Sequence, residues 1–466
     1  MARPSNMSPT NLGRLEQYFC KVQSAITAAA DPAAADAFRA LDVTLDPVNE
    51  TQTRDDNDQG RDIPSVVEFE DGPHTAKISA YVLPATAGTA PDLDPVLNST
   101  LEKTTRASVT MDTGVPTTTV FQTTDTGIYS AGDIIAIPIE LGSSEIEANV
   151  VDSVSTASGI DTITLENTLS FTPDADTVIP ANVQYKPRNQ LSSTNYFTLY
   201  KFSAIGVQAI AGCIFTNINI SVARGEKAKI EFDVTGRHSF GSGELVLDGG
   251  IDDSETSISV TEATAGRFYG IDSNHPLHFY MDDEIVKVTG TDDDGSMTID
   301  RAEKGTDAAS HDDGTVLYPY APPVATTDLN GVPIPGIQGF CKLDDLSYSI
   351  TSMGFSSDEG IVPVEEYGSQ EISNFVAAAR REPKLEGEMT GKTQAWDIVG
   401  LAEGRTEFRT LFIMGNETSK AAGVFCGGCY AENFAFPSAP NDTSHVQFST
   451  KNIIGTGDNA FRIAYL

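Results

Sequence analysis

The stretch from Gly212 to Arg237 decides the fold, and its sequence is GCIFTNINISVARGEKAKIEFDVTGR. Between Ala228 and Val234 apolar and charged side chains alternate, which is the period of a β-strand with one buried and one wet face. The alternation predicts a core face made of Ile230, Phe232 and Val234, and a solvent face that includes Glu231 and Asp233.

Strand signals of this kind recur along the chain, bounded by Gly, Asp and Asn turns. Helical signals are few. Leu12 to Ala28 has a loosely amphipathic pattern, and Thr393 to Glu403 carries apolar residues behind a Thr suited to capping. We therefore predict a mainly β protein in which a β-sandwich or barrel domain packs against one helix.

Two stretches have the pattern of separate small β modules, Val109 to Pro187 and Gly241 to Pro322. Each contains Gly or Asp turns, a strand preceded by an acidic residue, a hairpin and a closing strand. Such insertions cost little, because loop-closure entropy grows only with the logarithm of loop length. The predicted organisation is one host domain, interrupted by two β-barrel or β-sandwich modules: host 1–108, module 109–187, host 188–240, module 241–322, host 323–466.

The chain has 466 residues, with 66 acidic and 30 basic side chains and a formal net charge of −36. Such a surface repels nucleic-acid phosphates, which excludes a conventional DNA- or RNA-binding protein. Adaptation to a high-salt host is a second explanation of the acidity. No apolar window is long enough for a membrane helix, and residues 1–7 show no secretory pattern, so we expect synthesis and use in a cytoplasm-like compartment.

Five cysteines are spread along the chain, which is a poor disulfide framework and predicts buried, reduced thiols. Cys426 and Cys429 have the C-x-x-C spacing of a redox or zinc half-site. The sequence nearby offers neither a second pair of ligands nor the flanks of a thioredoxin motif. We interpret this pair as two thiols in a Gly-rich turn.

Nucleotide and calcium motifs are incomplete in this sequence. The run 391–393 ends like a P-loop, but Glu386 stands where the first glycine is required. The loop from Asp55 to Gly60 begins like a calcium loop, but Val66 occupies the position of the bidentate Glu. Asp292 to Gly295 fits a hairpin turn. Weak cation binding by these Asp-rich loops stays open.

Signatures of catalysis are also incomplete. The six histidines form no H-x-E, H-E-x-x-H or similar pattern, and there is no G-x-S-x-G elbow. The run from His275 to His278 fits a surface loop and the start of a strand rather than a metal pair. We predict a protein without enzymatic activity, cofactor or metal site; a hydrolase with an unrecognised carboxylate pair is the alternative that acidic composition leaves open.

Segments along the chain resemble, in order, the tail tube (major tail) proteins of long-tailed bacteriophages and related tailed viruses. The central pair of strands, from Asn195 to Phe202 and from Gly212 to Arg237, resembles that family's "G-C/A-x-x-N" strand and the alternating strand closed by "G-K/R". The other matching pieces are the turn Pro91 to Leu97, the strand Leu346 to Ile350, the return strand Arg380 to Met389, the helix Ala395 to Ala402 and the final strand Ala460 to Tyr465.

The resemblance implies a structural virion protein that self-assembles into stacked rings, the tail tube through which the genome reaches the host. In that family strands from each subunit join edge to edge around a lumen. Glu231 and Asp233 would then face the lumen, with an ordinary solvent face as the alternative. Because one clear copy of the central hairpin is visible, we expect a homohexameric ring.

The implied partners are further copies of the chain, a tape measure protein, tail terminator and distal tail or baseplate proteins, and double-stranded DNA that passes without specific binding. The implied location is the virion tail, after assembly in the host cytoplasm. The two modules would decorate the outside. A different class of protein, an adhesive or glycan-binding tail fibre or surface-layer component, is the alternative.

Overall fold

Strands account for 54% of the computed structural model and helical residues for 6%, which confirms the prediction of a mainly β protein. The sheets curl into half-barrels. The loop from Asp55 to Gly60 lies outside the described residues. The structure describes residues 16–47, 49–53, 66–71, 73–112, 116–191, 195–261, 267–292, 295–325, 329, 331–344, 346–348, 350–366, 371–390, 395–435, 445–452 and 460–466.

The described strands and α-helices are numbered in chain order. The first half of the chain contains β1 (Gln17–Val22), β2 (Ala37–Phe38), β3 (Asp42–Asp46), β4 (Asn49–Thr53), β5 (Val66–Asp71), β6 (His74–Tyr81), α1 (Asp94–Thr100), β7 (Leu101–Arg106), β8 (Val109–Thr110), β9 (Val120–Thr123), β10 (Ile134–Pro138), β11 (Ile146–Ala157), β12 (Ile160–Leu165), β13 (Val178–Ile179), β14 (Asn182–Pro187), β15 (Phe197–Ser203), β16 (Gly206–Ala223) and β17 (Lys229–Gly236). The second half contains β18 (His238–Ser242), β19 (Leu245–Val246), β20 (Ser257–Ser259), β21 (Phe268–Tyr269), β22 (Leu277–Met281), β23 (Glu284–Thr291), β24 (Ser296–Asp300), β25 (Val316–Pro319), β26 (Gly339–Leu343), β27 (Leu346–Tyr348), β28 (Ile350–Asp358), β29 (Ile361–Val364), β30 (Asn374–Ala377), β31 (Glu382–Thr390), α2 (Ala395–Gly404), β32 (Phe408–Met414), β33 (Ala422–Ala435), β34 (His445–Asn452) and β35 (Arg462–Tyr465).

The helix predicted from Leu12 to Ala28 is wrong, because the described part of this segment forms β1. The backbone of β1 pairs with β15 on one side and with β2 on the other, so Cys20 lies opposite Leu199 and Phe19 opposite Ala37. These cross-strand hydrogen bonds outweigh a weak helical period. Leu12 itself lies outside the described residues.

The described residues contain two α-helices, where one packed helix was predicted. α1 forms where a turn was predicted, with Pro95 in its first turn, a position that suits the fixed φ of proline. It buries Val96 and Leu97 in the core. α2 lies where a helix was predicted and contributes Ile398 to the core, but its Trp396 is 62% exposed.

Eight strands lie side by side in one antiparallel sheet, here called the inner sheet, in the order β3-β6-β17-β16-β28-β31-β34-β33. This order contains an internal repeat, because β3-β6-β17-β16 and β28-β31-β34-β33 have the same connectivity along the chain. We call the two units repeat one (β1 to β3, β6, α1 and β15 to β18) and repeat two (β26 to β28, β31, α2 and β32 to β35). The expectation of one central hairpin is therefore wrong, since β16–β17 has a counterpart in β33–β34.

The two repeats also agree at their irregular positions. A β-bulge interrupts the pairing of β16 with β17 just before Asn217, and the pairing of β33 with β34 just before Asn433. A second bulge lies just before Cys213 opposite β15, and just before Cys429 opposite β32. Both pairs of positions are 216 residues apart (429 − 213 = 216). Bulges are specific features of a fold, so their agreement identifies the same fold twice.

The long strands β16 and β33 cross from the inner sheet into outer sheets. The first part of β16 pairs with β15 and β18, and the first part of β33 pairs with β32 and β35. The main core lies between inner and outer sheets and includes Leu97 and Phe232. β7 and β14, which are inserted in repeat one, extend the outer sheet of repeat two through the β14–β35 pair.

Each outer sheet is covered by a small β module. Module 1 (β8 to β13) has the strand order β10-β11-β12-β9 plus the pair β13–β8, and module 2 (β19, β20 and β22 to β25) has β22-β23-β24-β20 plus the pair β25–β19, so both have one topology. Module 1 is inserted in repeat one, yet its Ile134 shares a core cluster with Leu411 of repeat two. Module 2 shares a cluster with repeat one, for example through Phe279 and Tyr200.

Candidate functional site

The inner sheet has a buried face and a solvent face, and the solvent face is the candidate functional surface. Side chains such as Val43, Ile78 and Phe448 leave the sheet on the buried side and enter the main core. The opposite side, here called the polar face, is exposed or half-buried. Its described residues are Asp42, Thr44, Asp46, Thr75, Lys77, Ser79, Tyr81, Asn217, Asn219, Ser221, Lys229, Glu231, Asp233, Thr235, Ser352, Gly354, Ser356, Asp358, Glu382, Lys384, Glu386, Glu388, Asn433, Ala435, Gln447, Ser449 and Lys451.

The strand on which the sequence analysis centred, β17, lies inside this sheet between β6 and β16. Ile230, Phe232 and Val234 are at most 2% exposed and belong to the main core. Glu231 and Asp233 project onto the polar face. The pattern of the strand thus separates three core side chains from two carboxylates that stand beside the acids of neighbouring strands.

Both repeats give the polar face the same charges, four carboxylates and two lysines each. Repeat one supplies Asp42, Asp46, Glu231 and Asp233 with Lys77 and Lys229, and repeat two supplies Asp358, Glu382, Glu386 and Glu388 with Lys384 and Lys451. Lys77 lies 3.6 Å from Asp233, and Lys384 pairs with Glu386. The face therefore has an excess of negative charge, and Lys77 and Lys384 have acidic neighbours.

Short polar side chains hold the acids of repeat one against the sheet. The amide Nδ2 of Asn217 donates to Asp233 at 3.3 Å, and that of Asn219 donates to Glu231 at 3.4 Å. The hydroxyl of Ser79 donates to Glu231 from the other side at 3.5 Å. The polar face therefore consists of short Ser, Thr and Asn side chains between charged groups.

A hollow of about 670 Å³ deepens the polar face over repeat two. Gly354 leaves space in its floor, and Lys227, Glu388 and Gln447 stand around it. A Cβ atom on Gly387 would lie 2.5 Å from the ring of Phe448, its partner on the neighbouring strand, so this position requires glycine. Charged groups of both signs line the hollow, which gives it the character of a hydrated groove.

At each of its two sides, the inner sheet ends in a strand that has one described strand partner. Among the described residues β3 pairs only with β6, and β33 beyond Cys429 pairs only with β34. The matching part of β16 has two neighbours, β17 and β28. Edge strands of this kind present unpaired backbone groups to which a further strand can bind.

Two buried histidines lie away from the polar face, where repeat one meets module 2. The rings of His238 and His275 stack with centroids 3.9 Å apart. His238 Nδ1 lies 3.0 Å from Glu371 Oε1, and its Nε2 lies 2.8 Å from the carbonyl of Gly270. The hydrogen bond from His238, with a further one from Arg237, lowers the pKa of Glu371 to about 2.

The strand start expected between His275 and His278 is confirmed, because β22 begins at Leu277. The expected surface position is wrong, because His275 and His278 are 3% and 7% exposed. One ligand atom each from His238, Asp272 and His275 would fit within 4.8 Å of one another. Asp272 Oδ1, however, already accepts from the backbone N–H of His275 and of Asn274. Since both ring nitrogens of His238 also face acceptors, this group has the character of a hydrogen-bonded junction.

Each module contains a fully buried carboxylate with cationic partners. Asp133 in module 1 accepts hydrogen bonds from Arg106 and from Arg462 of repeat two. Glu284 in module 2 accepts two from Arg301, at 2.7 Å each, and lies 3.0 Å from His311 Nε2. Burial alone would raise the pKa of Glu284, but these hydrogen bonds outweigh it and lower the pKa to about 2.

The sequence analysis missed repeat two, although one signal for it was present. Gly212 and Cys213 are followed by Asn217, and the same Gly-Cys-x-x-x-Asn spacing occurs in the run 428–433. The second copy includes Cys429 of the C-x-x-C pair, and the Gly-rich turn predicted for this pair is wrong, because both cysteines lie within β33. All five cysteines are buried and free.

No family model matches the chain, and no curated protein sequence matches it either. Neither α1 nor α2 has the length and apolar character that crossing a bilayer requires, and the described residues contain no other candidate helix.

Proposed function

We propose that this protein is the structural subunit of a viral tail tube, and that its polar face lines the conduit through which double-stranded DNA passes. One observation carries the proposal: an eight-stranded inner sheet has a wet, acidic face, a continuous apolar core behind it and, within the described part of the chain, an open strand at each side. A ring of such sheets encloses the wet face.

Ring closure answers a physical problem of this sheet. Open edges with free N–H and C=O groups invite uncontrolled association, and closing the sheet into a barrel removes them. The buried face of the inner sheet is already covered within the chain, by α1 and the outer sheets. Among the described strands, the open edges of β3 and β33 are what this sheet offers to a neighbouring copy, which favours lateral pairing between copies over stacking of apolar faces.

The chemistry of the polar face suits passage without retention. A DNA duplex carries about one negative charge per 1.7 Å of its axis, and proteins hold it through unneutralised Lys and Arg. On this face Lys77 stands beside Asp233, and Lys384 stands beside Glu386. Its small Ser, Thr and Asn side chains offer hydration and little stacking surface.

The positions of the two modules suggest that the side of the molecule opposite the polar face points outward. Module 1 covers the outer sheet of repeat two and module 2 that of repeat one. In a ring whose polar faces point inward, both modules lie on the outside, where they shield neighbouring sheets from solvent.

Stacking of rings completes the proposed tube. The hairpins β4–β5 and β29–β30 leave the inner sheet at the same end, because each connects equivalent strands of the two repeats. Two projections per chain at one end suit contact with the next ring. A tape measure protein in the lumen, terminator and distal tail or baseplate proteins at the tube ends, and a virion location reached from the host cytoplasm belong to this proposal. It assigns the protein no enzymatic activity and no cofactor.

Negative-stain electron microscopy of the purified full chain, followed over protein concentration and salt, tests the proposal. We expect rings with a central hole that stack into tubes. Particles that stay single under all conditions, or that form fibres without a lumen, overturn it and favour the adhesive alternative, for which glycan binding is then the decisive measurement.

A further inference from the structure

We propose that the stacked pair His238 and His275 is a proton-operated latch, which holds the hairpin β29–β30 and the adjoining edge of module 2 on repeat one near neutral pH and loosens both in mild acid. The pair lies away from the polar face. The latch therefore goes beyond the proposed function and does not depend on ring formation.

Three segments of the chain meet at this pair. His238 begins β18 of repeat one, His275 lies just before β22 of module 2, and Glu371 lies in the connection between β29 and β30. His238 Nδ1 lies 3.0 Å from Glu371 Oε1, and the ring of His238 stacks on that of His275 with centroids 3.9 Å apart. A change of charge on the pair therefore acts on all three segments together.

The hydrogen bonds of His238 require its ring to be an imidazolium. Its Nδ1 faces the carboxylate of Glu371 and its Nε2 faces the carbonyl of Gly270 at 2.8 Å, and both of these groups only accept hydrogen bonds. Both ring nitrogens therefore carry a proton. Gly270 has a φ of +63°, and a Cβ atom there would lie 2.3 Å from the carbonyl oxygen of Ser239, so this close approach of the backbone requires glycine.

His275 has the opposite requirement. Its Nδ1 lies 3.0 Å from Asp272 Oδ1, whereas its Nε2 is buried and has no hydrogen-bond partner within the described part of the chain. A second proton on this ring would create a buried N–H donor without an acceptor, which is unfavourable. Burial, and next the charge of His238, lower the pKa of His275, although Asp272 and Glu371 act against them.

The charges that face the pair from each segment balance while His275 is neutral. Among the described residues, Asp272 and Glu371 contribute two negative charges. His238 contributes one positive charge, and Arg237 contributes another through two hydrogen bonds to Glu371. A proton on His275 would add an uncompensated positive charge to a buried ring that stacks on an imidazolium.

The closed and the open latch bind different numbers of protons. The closed latch holds one positive charge on its two rings, at His238. In the open latch both rings are ordinary histidines, which titrate near pH 6.5, so that they hold two charges well below this pH and none well above it. As the pH falls below about 6.5, the proton taken up by His275 increases opening by up to about tenfold per pH unit. As the pH rises above it, His238 has to give up a proton that its hydrogen bonds require, so opening increases again.

The hairpin is the segment that an open latch frees most readily. It packs on repeat one through a small apolar cluster that includes Tyr196 and Phe375, and it is attached there through Glu371. Module 2 is held on repeat one by a larger cluster as well, which includes Phe279 and Tyr200. Exchange of the hairpin's backbone amides is therefore the more sensitive measure of the latch.

Hydrogen exchange of the full chain, measured by mass spectrometry between pH 5 and pH 8 and corrected for the intrinsic pH dependence of exchange, tests the latch. The variant His275→Asn cannot take up the second proton. Its matched control is His278→Asn, because His278 is also buried but faces Asp31 and Glu303 instead of Glu371. Peptides that cover residues 361–377 report on the hairpin, and those that cover residues 270–275 report on the edge of module 2.

In the unmodified protein and in His278→Asn, we expect exchange of both regions to be slowest near pH 6.5 and to accelerate by up to about tenfold from pH 6 to pH 5. In His275→Asn it should stay constant over that interval and still accelerate above pH 7. Constant exchange of the unmodified protein from pH 6 to pH 5 overturns the latch even where no variant folds, and so does an unchanged acceleration in His275→Asn. Protection at pH 7 that rises with Zn²⁺ and falls with EDTA, in the unmodified protein but not in His275→Asn, overturns the latch in favour of a metal site.

Discussion

Repeat one and repeat two have the same strands in the same order, yet they share few residues. Asn217 matches Asn433 and Phe232 matches Phe448, but most equivalent positions differ in side chain. What they share is the alternation of buried and exposed positions, the place of each bulge and the charge count of the polar face. The comparison teaches that this fold is specified by pattern and by a few irregular positions more than by particular residues.

The repeats differ in how much of their surface the chain covers. The helix of repeat one is buried, with Leu97 inaccessible to solvent, whereas the helix of repeat two exposes Trp396. The hairpin β29–β30 packs Phe375 against Tyr196 of repeat one and is tied through Glu371. The helix of repeat one is thus covered within the chain, whereas the helix of repeat two leaves part of its surface exposed.

The largest effect is expected from charge in the two equivalent core positions. Phe232→Asp and Phe448→Asp each place a carboxylate in the core and should cost about 4 kcal/mol or more, so that soluble protein and rings are lost. The matched controls are Asp233→Ser and Ser449→Asp, which exchange residues on the polar face. Soluble yield and urea unfolding measure the outcome; normal rings from either Phe variant would contradict the assignment of faces.

The two helices should respond differently to truncation. Leu97→Ala removes a fully buried side chain and should lower the free energy of unfolding by about 3 kcal/mol. Trp396→Ala removes an exposed side chain and should change the stability of the isolated chain by about 0.5 kcal/mol or less, while weakening ring formation. Thermal unfolding and sedimentation separate the two readouts. Equal losses of stability would show that the helices have equivalent environments.

The hydrogen bonds that attach the hairpin β29–β30 to repeat one should depend on pH. Glu371→Gln removes the charge that Arg237 and His238 contact and should lower the local stability of the hairpin by about 2 kcal/mol. Glu366→Gln, an exposed change in the same hairpin, is the control. Hydrogen exchange of Ile361–Ala377 measures both; equal protection in the two variants would argue against this attachment.

The sign of the pH effect follows from the lowered pKa of Glu371, about 2 in the folded chain. An ordinary Glu titrates near 4.3, so the unfolded hairpin takes up its proton first as the pH falls. The contribution of Glu371 to stability is therefore complete above about pH 4.5 and is lost as the pH falls toward 2. In the Glu371→Gln variant this acid-dependent part of the exchange profile should disappear.

A small effect on folding, and a distinct one on function, is expected from charge reversal on the polar face. Glu231→Lys with Asp233→Lys should leave stability within about 1 kcal/mol, because both side chains are solvated. Assembled rings should then retain DNA in a salt-dependent manner. Glu140→Lys with Asp312→Lys makes the same change on the modules. DNA retention by this control alone would move the conduit surface away from the inner sheet.

The sequence supports the fold class and the faces of single strands, because alternation is local. The burial of Phe232 beside the exposure of Glu231 needs no knowledge of partners. Whether a segment forms a helix or a strand was harder to predict. Gln17–Val22 has a weak helical period, and only its pairing with β15 and β2 makes it a strand. The Gly-Cys-x-x-x-Asn signal at Cys429 is too short to reveal repeat two without the bulges that flank it.

The polar face was predictable only in part. Glu231 and Asp233 follow from alternation on one strand, but the acids of β28 and β31 join them only through the pairing of β16 with β28, whose partners are more than 100 positions apart. The burial of His275 was equally inaccessible, since it depends on stacking with His238 across a module boundary. The register of strands that are distant in sequence, rather than local secondary-structure preference, brings these side chains together.

The pairing of β14 with β35 has a consequence for synthesis. The two strands are separated by some 270 residues. The face of module 1 that contains Ile134 can be covered only after the sheet of repeat two has been synthesised. At about 5–20 residues per second, a ribosome needs on the order of 15–60 s to complete that interval. During this time apolar surface stands uncovered on a tethered chain. Neighbouring nascent chains can exchange these elements, so the protein is most prone to misassembly before its own translation is finished.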